Sequence, residues 1–469
     1  MAKNLEDLAG QLKGKFKGEL LRPEDPGYSD ARRIWNASAA RNPGLIARCN
    51  NVPDVQMAVR AASAAGILTA VRCGGHSLAG FSSCDGGLVI DLSRMRSIVV
   101  NEQVRLAYAA GGCQLGTIDT ATQQEGLVYP AGVVSHTGAG GLILGGGTGW
   151  LTRMFGMSCD NVEEFSLVTA DGSIVRASAR ENNELFWALR GGGGNFGVVT
   201  EFVLKLHSMI SVMLGSGLCV KDEIFPTLRY WRDFMPGAPD ELKWNLSLRV
   251  MPDAAGVAVA ANRAPALSET IAWFGERRAG ERQLEHILSL GSPIAVTKRT
   301  VPFLELQTMA DAEFPHGRRY YTKSGYFKRL GDDSILCMME ALSSVPSANS
   351  QIELAYLGGA AGRVGASETA FGSRDAPYIM NILADWSDAS ADAENVSWVR
   401  NLFAKLRPAM QPGVYVNFMS GDEEDRTKEA YSERWDRLVA VKSHYDPGNF
   451  FRLNQNIPPA QSPARVSRK

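Results

Sequence analysis

The sequence predicts a protein of the α+β class that is built from two regions of different character. With 469 residues, the chain is longer than one hydrophobic core ordinarily supports, so two domains or subdomains are expected. Between residues 74 and 197, glycine-rich turns alternate with short apolar strands and a few helices. After about residue 208 glycine becomes less frequent, and longer strands of antiparallel type are interleaved with helical segments.

Local signals define the individual elements. Val55, Val59 and Ala62 share one helix face, and Asp171-Gly172 between two β-rich runs is typical of a hairpin turn. For the first region, such patterns predict helices over 53–65, 114–124 and 183–190, strands over 67–70, 87–92 and 198–206, and a hairpin over 165–175. For the second region, they predict strands over 244–250 and 352–357 and helices over 279–290 and 396–406.

Composition and charge exclude several classes of function. The chain carries 49 basic and 50 acidic side chains, which gives no electrostatic argument for nucleic acid or an anionic membrane. No apolar run approaches the roughly 18 residues that a bilayer-spanning helix needs. The seven cysteines are scattered without a Cys-x-x-Cys pair, which predicts neither a metal site nor a thioredoxin-like centre. Free thiols, and an amino terminus without an apolar signal segment, predict a cytoplasmic protein.

The most informative motif is residues 71–77, Val-Arg-Cys-Gly-Gly-His-Ser, which follows the apolar strand over 67–70. Glycine has no Cβ and tolerates positive φ, so paired glycines after a strand let backbone N–H groups approach a ligand. The imidazole of His76 comes where such a ligand would lie. A simple turn would also explain this fragment by itself, so other motifs must decide between the two.

Two further glycine-rich segments favour the ligand. Residues 138–147 hold the run Leu-Ile-Leu among glycines, which disfavours a stable surface helix and predicts a buried segment beside a flat or extended ligand. Residues 191–197 have the same character. Neither segment continues into the Gly-Lys-Ser/Thr of a P-loop or opens a long helix with dinucleotide spacing, so a nicotinamide dehydrogenase is not expected.

The motifs, taken in their order along the chain, resemble those of a known family. Residues 72–77, 84–92 and 132–149 resemble the PCMH-type FAD-binding domain of the vanillyl-alcohol oxidase superfamily. Residues 445–457 resemble the tail of its branch of berberine-bridge-enzyme-like proteins and 6-hydroxy-D-nicotine oxidase. The resemblance runs from about residue 25 to residue 458, and the paired signatures are specific where neither alone would be.

The resemblance implies a division of the chain into domains. It implies a lead segment over 1–35, an FAD-binding domain of two α/β subdomains over 36–208, a substrate-binding domain with a large antiparallel sheet covered by helices over 209–411, a segment over 412–458 that returns to the FAD-binding domain, and a flexible tail over 459–469. The substrate-binding domain is the part that the motifs describe least, so they do not name the substrate.

The resemblance also implies a covalent cofactor. In this branch the histidine of the Gly-Gly-His sequence is bonded to the flavin, and His76 is the matching residue. Many members carry a second link from a cysteine, but Val134 stands at that position, so a single bond is expected. His136 is expected near the flavin, as a catalytic residue or as a hydrogen-bonded structural one. Thr137 stands where side-chain bulk is thought to control access of dioxygen, and its small size favours an oxidase.

Further FAD contacts are implied residue by residue. The residues concerned are Arg72, Cys73, Gly74, Gly75, His76 and Ser77 at the pyrophosphate, Val134, Ser135, Thr137, Gly138, Gly141, Gly145 and Gly147 at the isoalloxazine and ribityl side, Asp160, Asn161, Gly197, Val198 and Val199 near the adenosine, and Tyr415, Asn417, Asn454 and Gln455 at the flavin edge. All of these positions are transferred from the motifs of the family.

Oxidation of a C–H bond beside oxygen or nitrogen needs a hydride acceptor, and often a base for the adjacent proton. The flavin would supply the first. Tyr415 is the leading candidate for the base, because its segment matches a family motif with active-site tyrosines and a phenol near a flavin and a cation can have a lowered pKa. Tyr321 and Lys323 could supply both partners from a strand, or the tyrosine could merely pack on a sheet. Glu353 matches the catalytic glutamate of the family only by rough position.

The function that the resemblance implies is that of a flavoprotein oxidase. It would oxidise a small alcohol, amine or sugar-like substrate by hydride transfer to FAD and pass the electrons to dioxygen, which gives hydrogen peroxide. The alternatives are a dehydrogenase with another electron acceptor, and a flavin-holding cyclase or binding protein without net redox chemistry. The expected partners are the substrate and dioxygen, without nucleic acid or membrane, and the oligomeric state stays open.

Overall fold

The structure is a computed structural model that describes residues 2–251 and 263–460 of the chain. In that part of the chain, the strands form sheets of four, five, two and seven strands. Parallel and antiparallel pairs occur beside many helices, which confirms the α+β class. Nearly all of the expected flexible tail, residues 461–469, lies outside the described residues. None of the described helices is both long enough and apolar enough to cross a membrane.

The four-stranded sheet positions the Gly-Gly-His motif. Its strands are β1 (Glu19–Leu21), β2 (Leu45–Arg48), β3 (Thr69–Arg72) and β4 (Leu88–Asp91). They lie in the order β1-β2-β4-β3, and both β2 and β3 run parallel to β4. Ligands of parallel sheets bind beyond the carboxyl ends of the strands, and the chain leaves β3 there at Cys73. The strand lies two residues later than the sequence predicts.

A five-stranded antiparallel sheet and a two-stranded ribbon complete the first region. Their strands are β5 (Ile98–Asn101), β6 (Leu106–Ala110), β7 (Leu127–Val128), β8 (Val162–Val168), β9 (Ile174–Ser178), β10 (Val198–Lys205) and β11 (His207–Ser208). The larger sheet has the order β5-β6-β10-β8-β9, and β7 pairs with β11. β8 and β9 form the predicted hairpin, with Gly172 at φ +79° in its turn.

The second region contains a seven-stranded antiparallel sheet, here called the large sheet. Its strands are β12 (Ser211–Val220), β13 (Leu242–Val250), β14 (Pro265–Trp273), β15 (Ala295–Pro302), β16 (Arg319–Phe327), β17 (Gln351–Tyr356) and β18 (Tyr378–Trp386). They lie in the order β15-β12-β14-β13-β17-β18-β16. Successive side chains of a strand point to opposite faces. Ile352 and Ile382 therefore pack in the core under the helices, while Glu353 and Asn381 face the other way.

Helices cover one face of the large sheet and flank the smaller sheets. Among the described residues the α-helices are α1 (Ala2–Leu12), α2 (Tyr28–Ala31), α3 (Val52–Ala64), α4 (Leu115–Gln123), α5 (Ala139–Leu144), α6 (Thr152–Phe155), α7 (Asn183–Leu189), α8 (Ile224–Phe234), α9 (Arg277–Leu288), α10 (Phe303–Thr308), α11 (Asp332–Ala341), α12 (Gly359–Arg363), α13 (Asp392–Leu406), α14 (Thr427–Tyr431) and α15 (Trp435–Tyr445). Trp231 of α8 and Trp398 of α13 are buried in one core against the large sheet. α14 and α15 share a second core with β8 and β10, so the C-terminal segment packs on the first region.

The predicted helices and strands are confirmed to within a few residues at their ends. The local patterns do not predict α1 and α15, among other helices; both are stabilised by packing their apolar faces against the rest of the molecule. Residues 138–147 contain the short helix α5, whose Ala139, Ile143 and Leu144 are buried. Glycine does not prevent a helix there because the segment lies inside the protein and not on its surface.

Candidate cofactor site and active site

A large cavity lies between glycine-rich loops and the inner face of the large sheet. The name glycine-rich loops is used here for residues 73–77, 132–149 and 191–197. Glu353 of the large sheet and Tyr415 of the C-terminal segment complete the walls. Segments that are hundreds of residues apart in the sequence therefore meet at one site.

Most of the residues that the resemblance assigns to the cofactor line this cavity. They are Cys73, Gly74, Gly75, His76, Ser77, Val134, Thr137, Gly138, Gly141, Gly145, Gly197, Val198, Val199, Tyr415, Asn417, Asn454 and Gln455. Their arrangement joins separate motifs into one extended surface, which is the shape that a long dinucleotide cofactor needs.

Glycine lets the loops pack closely on one side and stay open on the other. A Cβ on Gly138 would lie 2.2 Å from the backbone nitrogen of Gly74, so the two backbones touch. Gly75 has φ +72°, a conformation that other residues rarely adopt. A Cβ on Gly141 or Gly194 would meet no described atom within 4 Å, and both glycines line the cavity. The loops thus leave room for a ligand in front of closely packed backbone.

His76 lies in a stack of aromatic rings. Its ring centre is 4.9 Å from that of Trp35 at an interplanar angle of 14°, and Tyr320 stacks on Trp35 at 3.8 Å. Nε2 of His76 lies 2.7 Å from Nδ1 of His136. Burial, with smaller effects of His136 and His316, lowers the pKa of His76 well below its usual value. The ring is therefore neutral at pH 7.

Unpaired polar atoms in the cavity walls fit a bound FAD. Ser82 Oγ, Asn381 Oδ1 and Asn454 Oδ1 are buried, line the cavity and have no hydrogen-bond partner among the described residues. Buried polar atoms in native proteins are ordinarily paired, so these three atoms indicate a polar ligand. A cofactor with many hydrogen-bonding atoms and a flat ring system would pair them and fill the space in front of Gly141 and Gly194.

Glu353 of β17 brings a carboxyl group into the cavity. Asn381, directly opposite on β18, donates through Nδ2 to Oε2 at 2.8 Å, and Gln351 donates to Oε1 at 3.1 Å. Ser247 of β13 donates to the amide oxygen of Gln351 at 2.6 Å. Burial raises the pKa of Glu353 above its usual value. Two amides therefore orient the carboxyl group, and no salt bridge to a described residue neutralises it.

Tyr415 lies in the cavity wall, but its surroundings contradict the expected lowered pKa. Its hydroxyl oxygen accepts hydrogen bonds from Asn417 Nδ2 at 2.9 Å and from the backbone N–H of Gly147 at 3.0 Å. Burial is the largest influence and raises the pKa of Tyr415 to about 12. A phenol with this pKa is almost fully protonated at neutral pH, so the geometry favours Glu353 over Tyr415 as the base.

Tyr321 and Lys323 do not line the cavity. They alternate along β16 with Thr322, which does line it, so their side chains point to the opposite face of the large sheet. There the hydroxyl group of Tyr321 donates to Asp422 at 2.8 Å, and Lys323 pairs with Glu423 at 3.2 Å. We therefore remove both from the catalytic candidates.

Four other residues assigned to the cofactor support the cavity from behind and do not line it. The guanidinium group of Arg72 donates to Asp91 of β4 at 2.5 Å. Asp160 forms an ion pair with Arg374 at 2.6 Å, and Asn161 donates to two main-chain carbonyl groups. Gly147, which also lies behind the wall, donates to the hydroxyl oxygen of Tyr415. Protein partners thus occupy the polar groups of these residues, and their contacts with FAD stay predictions from the resemblance.

Ser135 and His136 line a second, more open groove together with Gln114 and Thr117. The backbone N–H and hydroxyl group of Ser135 donate to the Asp311 carboxylate at 2.7 and 2.5 Å. Neither residue lines the main cavity, which His136 meets through its contact with His76. The expected contact of Ser135 with the isoalloxazine therefore stays a prediction, and His136 connects the groove with the cavity.

Several wall residues carry no signal in the sequence. Trp35, Phe314, Thr322 and Asn381 line the cavity, but each comes from a different strand or loop. β18 is buried along its whole length, so its hydrophobic pattern does not show which side chains face a ligand. The pairing of Asn381 with a carboxylate becomes visible only once the register of the large sheet is known.

Comparisons with known proteins agree with this architecture. A family model described as an FAD binding domain matches residues 43–178, and one described as berberine and berberine like matches residues 414–458. The chain is 34% identical over 454 residues to the uncharacterized FAD-linked oxidoreductase YgaK of Bacillus subtilis, a match that covers 95% of this chain and 98% of that protein. It is 30% identical to (R)-6-hydroxynicotine oxidase of Paenarthrobacter nicotinovorans, over 95% and 98% of the two chains. The crystal structure of 6-hydroxy-D-nicotine oxidase from Arthrobacter nicotinovorans matches with a TM-score of 0.85 and 29% identity, over 94% and 98%.

The fold, the cavity and these matches define the class of the protein as an FAD-linked oxidoreductase. Within that class, the chain belongs to the family of berberine-bridge-enzyme-like proteins and 6-hydroxynicotine oxidase. The resemblance that the sequence motifs indicate is therefore confirmed, from the first glycine-rich loop to the C-terminal segment.

Proposed function

We propose that the protein is an oxidase that carries one covalently attached FAD. It oxidises a small alcohol, amine or sugar-like substrate, with dioxygen as electron acceptor and hydrogen peroxide as product. The observation that carries this proposal is the presence of His76 and Glu353 in one cavity. The match to (R)-6-hydroxynicotine oxidase along nearly the whole chain supports oxidase chemistry.

His76 is proposed to form the single bond to the cofactor. Val134 lines the cavity where a second link would arise, and its aliphatic side chain cannot form one. The main chain of the glycine-rich loops would hold the pyrophosphate and the ring system. Bound FAD would supply a two-electron acceptor for the substrate.

Glu353 is proposed to take the proton from the hydroxyl or amine group of the substrate as the neighbouring C–H bond breaks. A carboxyl group whose pKa is raised toward neutrality takes and returns a proton more readily at neutral pH than an ordinary one. Asn381 and Gln351 hold its two oxygen atoms in place. Trp35 and Leu383, which line the same cavity, would exclude water beside it.

We also propose that the protein works in a reducing compartment such as the cytoplasm. All seven cysteines are free, and five of them are buried. An oxidising compartment favours disulfides in a chain with this many thiols. Fractionation of the source cells, followed by detection of the protein, would check this placement.

The test of the proposed activity is a substrate screen that reads hydrogen peroxide. It uses purified protein whose flavin stays with the precipitate after acid treatment. We expect one peroxide for each substrate oxidised, and a flavin adduct on the peptide that contains His76. Reoxidation by air that is slower than turnover with an artificial acceptor would assign a dehydrogenase instead. If no substrate reduces the bound flavin, the remaining alternatives are a flavin-binding protein and a cyclase without net redox chemistry.

A further inference from the structure

We propose that His76, His136 and His316 form a binding site for one divalent transition-metal ion such as Zn²⁺ in the flavin-free protein. The site goes beyond the proposed function, in which His76 acts as the anchor of the flavin and His316 has no role. The three histidines are far apart in the sequence, so no local motif predicts the site. Only the folded chain brings their side chains together.

The three imidazoles lie close to the separation that a metal ion needs. One ring nitrogen of each lies within 4.8 Å of the other two, and Nε2 of His76 is 2.7 Å from Nδ1 of His136. Zinc binds imidazole nitrogen at about 2.0–2.1 Å in tetrahedral sites, which places two such ligands about 3.3 Å apart. Side-chain movements of at most about 1.5 Å would therefore complete the site.

Trp35 holds the segments of two of these histidines in place. Its ring stacks on that of His76 with the centres 4.9 Å apart. Its indole N–H donates to the carbonyl oxygen of Phe314 at 2.8 Å, and its own carbonyl oxygen accepts from the backbone N–H of Gly317 at 3.1 Å. These two bonds flank His316. The backbone is thus fixed on both sides of this residue, while its exposed side chain can turn toward an ion.

Asp311 ties the loop that carries His316 to the segment that carries His136. The Asp311 carboxylate accepts hydrogen bonds from the backbone N–H and the hydroxyl group of Ser135 at 2.7 and 2.5 Å, and Ser135 directly precedes His136. The carbonyl oxygen of His136 accepts from the side-chain amide of Gln114 at 3.1 Å. Groups other than the imidazoles therefore hold the loops together, as a preorganised metal site requires.

The ligand set determines which kind of ion fits. Imidazole nitrogen suits Zn²⁺, Cu²⁺ and Ni²⁺, whereas Mg²⁺ and Ca²⁺ prefer oxygen ligands. Three histidines with a water molecule in the fourth position are a known set for zinc. His136 also lines the open groove beside the main cavity. A hydrated ion can therefore reach the site from solvent and keep one water molecule, without passing through the space for FAD.

A bound ion would compete with the flavin for His76. This consequence rests on the proposed function, in which His76 forms the bond to FAD. A neutral imidazole has a free lone pair on one ring nitrogen and a proton on the other. If Nε2 of His76 donates its lone pair to the ion, the proton stays on Nδ1, and neither nitrogen can attack the flavin. The ion would therefore delay attachment until it is removed.

Binding is measured first, on full-length protein that is produced under riboflavin limitation and freed of metal with a chelator. Calorimetric titration with Zn²⁺ should give one ion per chain in the wild type. His316→Ala should bind zinc at least about 100-fold more weakly, because loss of a direct ligand should cost at least as much as loss of an outer-shell partner. Titration with Co²⁺ should give the visible absorption of a four-coordinate site in the wild type only.

His444→Ala is the matched control, because this histidine is exposed on α15 and is not one of the three proposed ligands. It should bind zinc as tightly as the wild type. His136→Ala removes a second ligand and should show the same loss as His316→Ala. Thermal unfolding in the absence of metal, compared with that of the wild type, establishes that each variant is folded.

The second measurement follows covalent attachment after FAD is supplied in air, as the flavin that stays with acid-precipitated protein. Zn²⁺ at about ten times its Kd leaves about one tenth of the chains without an ion. Attachment in the wild type should therefore slow about 10-fold, and a chelator should restore the rate. In His316→Ala we expect the metal-free wild-type rate both with and without zinc.

Absence of a stoichiometric ion in the wild type, or wild-type zinc affinity in His316→Ala, would overturn the metal site. An unchanged rate of attachment in zinc-saturated wild-type protein would overturn the competition. Wild-type protein that binds both zinc and FAD but never forms an adduct would instead refute the covalent link of the proposed function, and the metal site would stand.

Discussion

Residues 74–76 on the cofactor side of the cavity are consecutive, whereas Glu353 and Asn381 on the substrate side come from two strands. The cofactor side depends on backbone geometry: a close approach between Gly74 and Gly138, and a positive φ at Gly75. The substrate side depends on register, because Glu353 faces Asn381 only when β17 and β18 pair as they do. A backbone requirement restricts a position to glycine and is therefore visible in the local sequence, whereas the register of two strands is not.

The two sides can therefore change independently. Substitutions on the inner face of the large sheet would alter the groups that we propose to meet the substrate and would leave the glycine-rich loops intact. This division explains how one fold can keep a cofactor while its substrate changes.

The largest effect is expected from Gly138→Val. Its Cβ would lie 2.2 Å from the backbone nitrogen of Gly74, so the loops must move apart, and we expect the purified protein to lack FAD. Flavin absorbance relative to protein absorbance measures this loss. Gly140→Ala is the control, since its Cβ meets Cys73 at an ordinary 3.6 Å. Similar flavin content in both variants would show that close packing of the loops is not required.

Glu353→Gln should leave the cofactor side unchanged and lower kcat by about 10²- to 10⁴-fold, the range for loss of a general base. The amide keeps the shape of the carboxyl group but cannot take a proton. Steady-state kinetics together with flavin content measure both effects. Glu340→Gln, the same change at an exposed position of α11, should have wild-type kinetics. A kcat that stays unchanged in Glu353→Gln would exclude this residue as the base.

The pH profile sharpens the same assignment. Only the deprotonated carboxylate of Glu353 can accept a proton, so kcat/KM of the wild type should rise with pH through the pKa of this group. Burial raises that pKa, which places the rising limb above the usual range of glutamate. The limb should be absent from Glu353→Gln. If the variant keeps the limb at the same pH, another group of the enzyme is responsible for it.

The smallest effect is expected from Tyr321→Phe, on the far face of the large sheet. The change removes the hydrogen bond that the hydroxyl group donates to Asp422 and the one that it accepts from Arg400, at a cost in stability of about 1 kcal/mol. We expect kcat, KM and flavin content to equal those of the wild type, while thermal unfolding reports the small loss. A clear fall in kcat would show that the outer face also contributes to catalysis.

The sequence predicts the cofactor side better than the substrate side for physical reasons. The positive φ of Gly75 and the close contact of Gly138 with Gly74 both require glycine, and clusters of glycine are visible in the local sequence. Tyr321 and Thr322 are neighbours in a strand, and only the packed structure shows that Thr322 is the one that lines the cavity. The sequence does not show the raised pKa of Tyr415, because it comes from burial in the packed structure, which outweighs the lowering effect of the hydrogen bonds from Asn417 and the main chain of Gly147.

Trp35 links the start of the chain to both sides of the cavity. Its indole N–H donates to the carbonyl oxygen of Phe314 at 2.8 Å, and the next residue, Asn36, donates to the carbonyl oxygen of Tyr320 at 3.0 Å. A shortened version of this enzyme that begins after Trp35 would uncover His76 and loosen an end of β16 at the same time. The purified protein would then contain little flavin. This loss could be mistaken for a shortage of FAD during expression, although the glycine-rich loops would still have their original sequence. Tags and trimming at the amino end therefore need as much care as changes in the active centre.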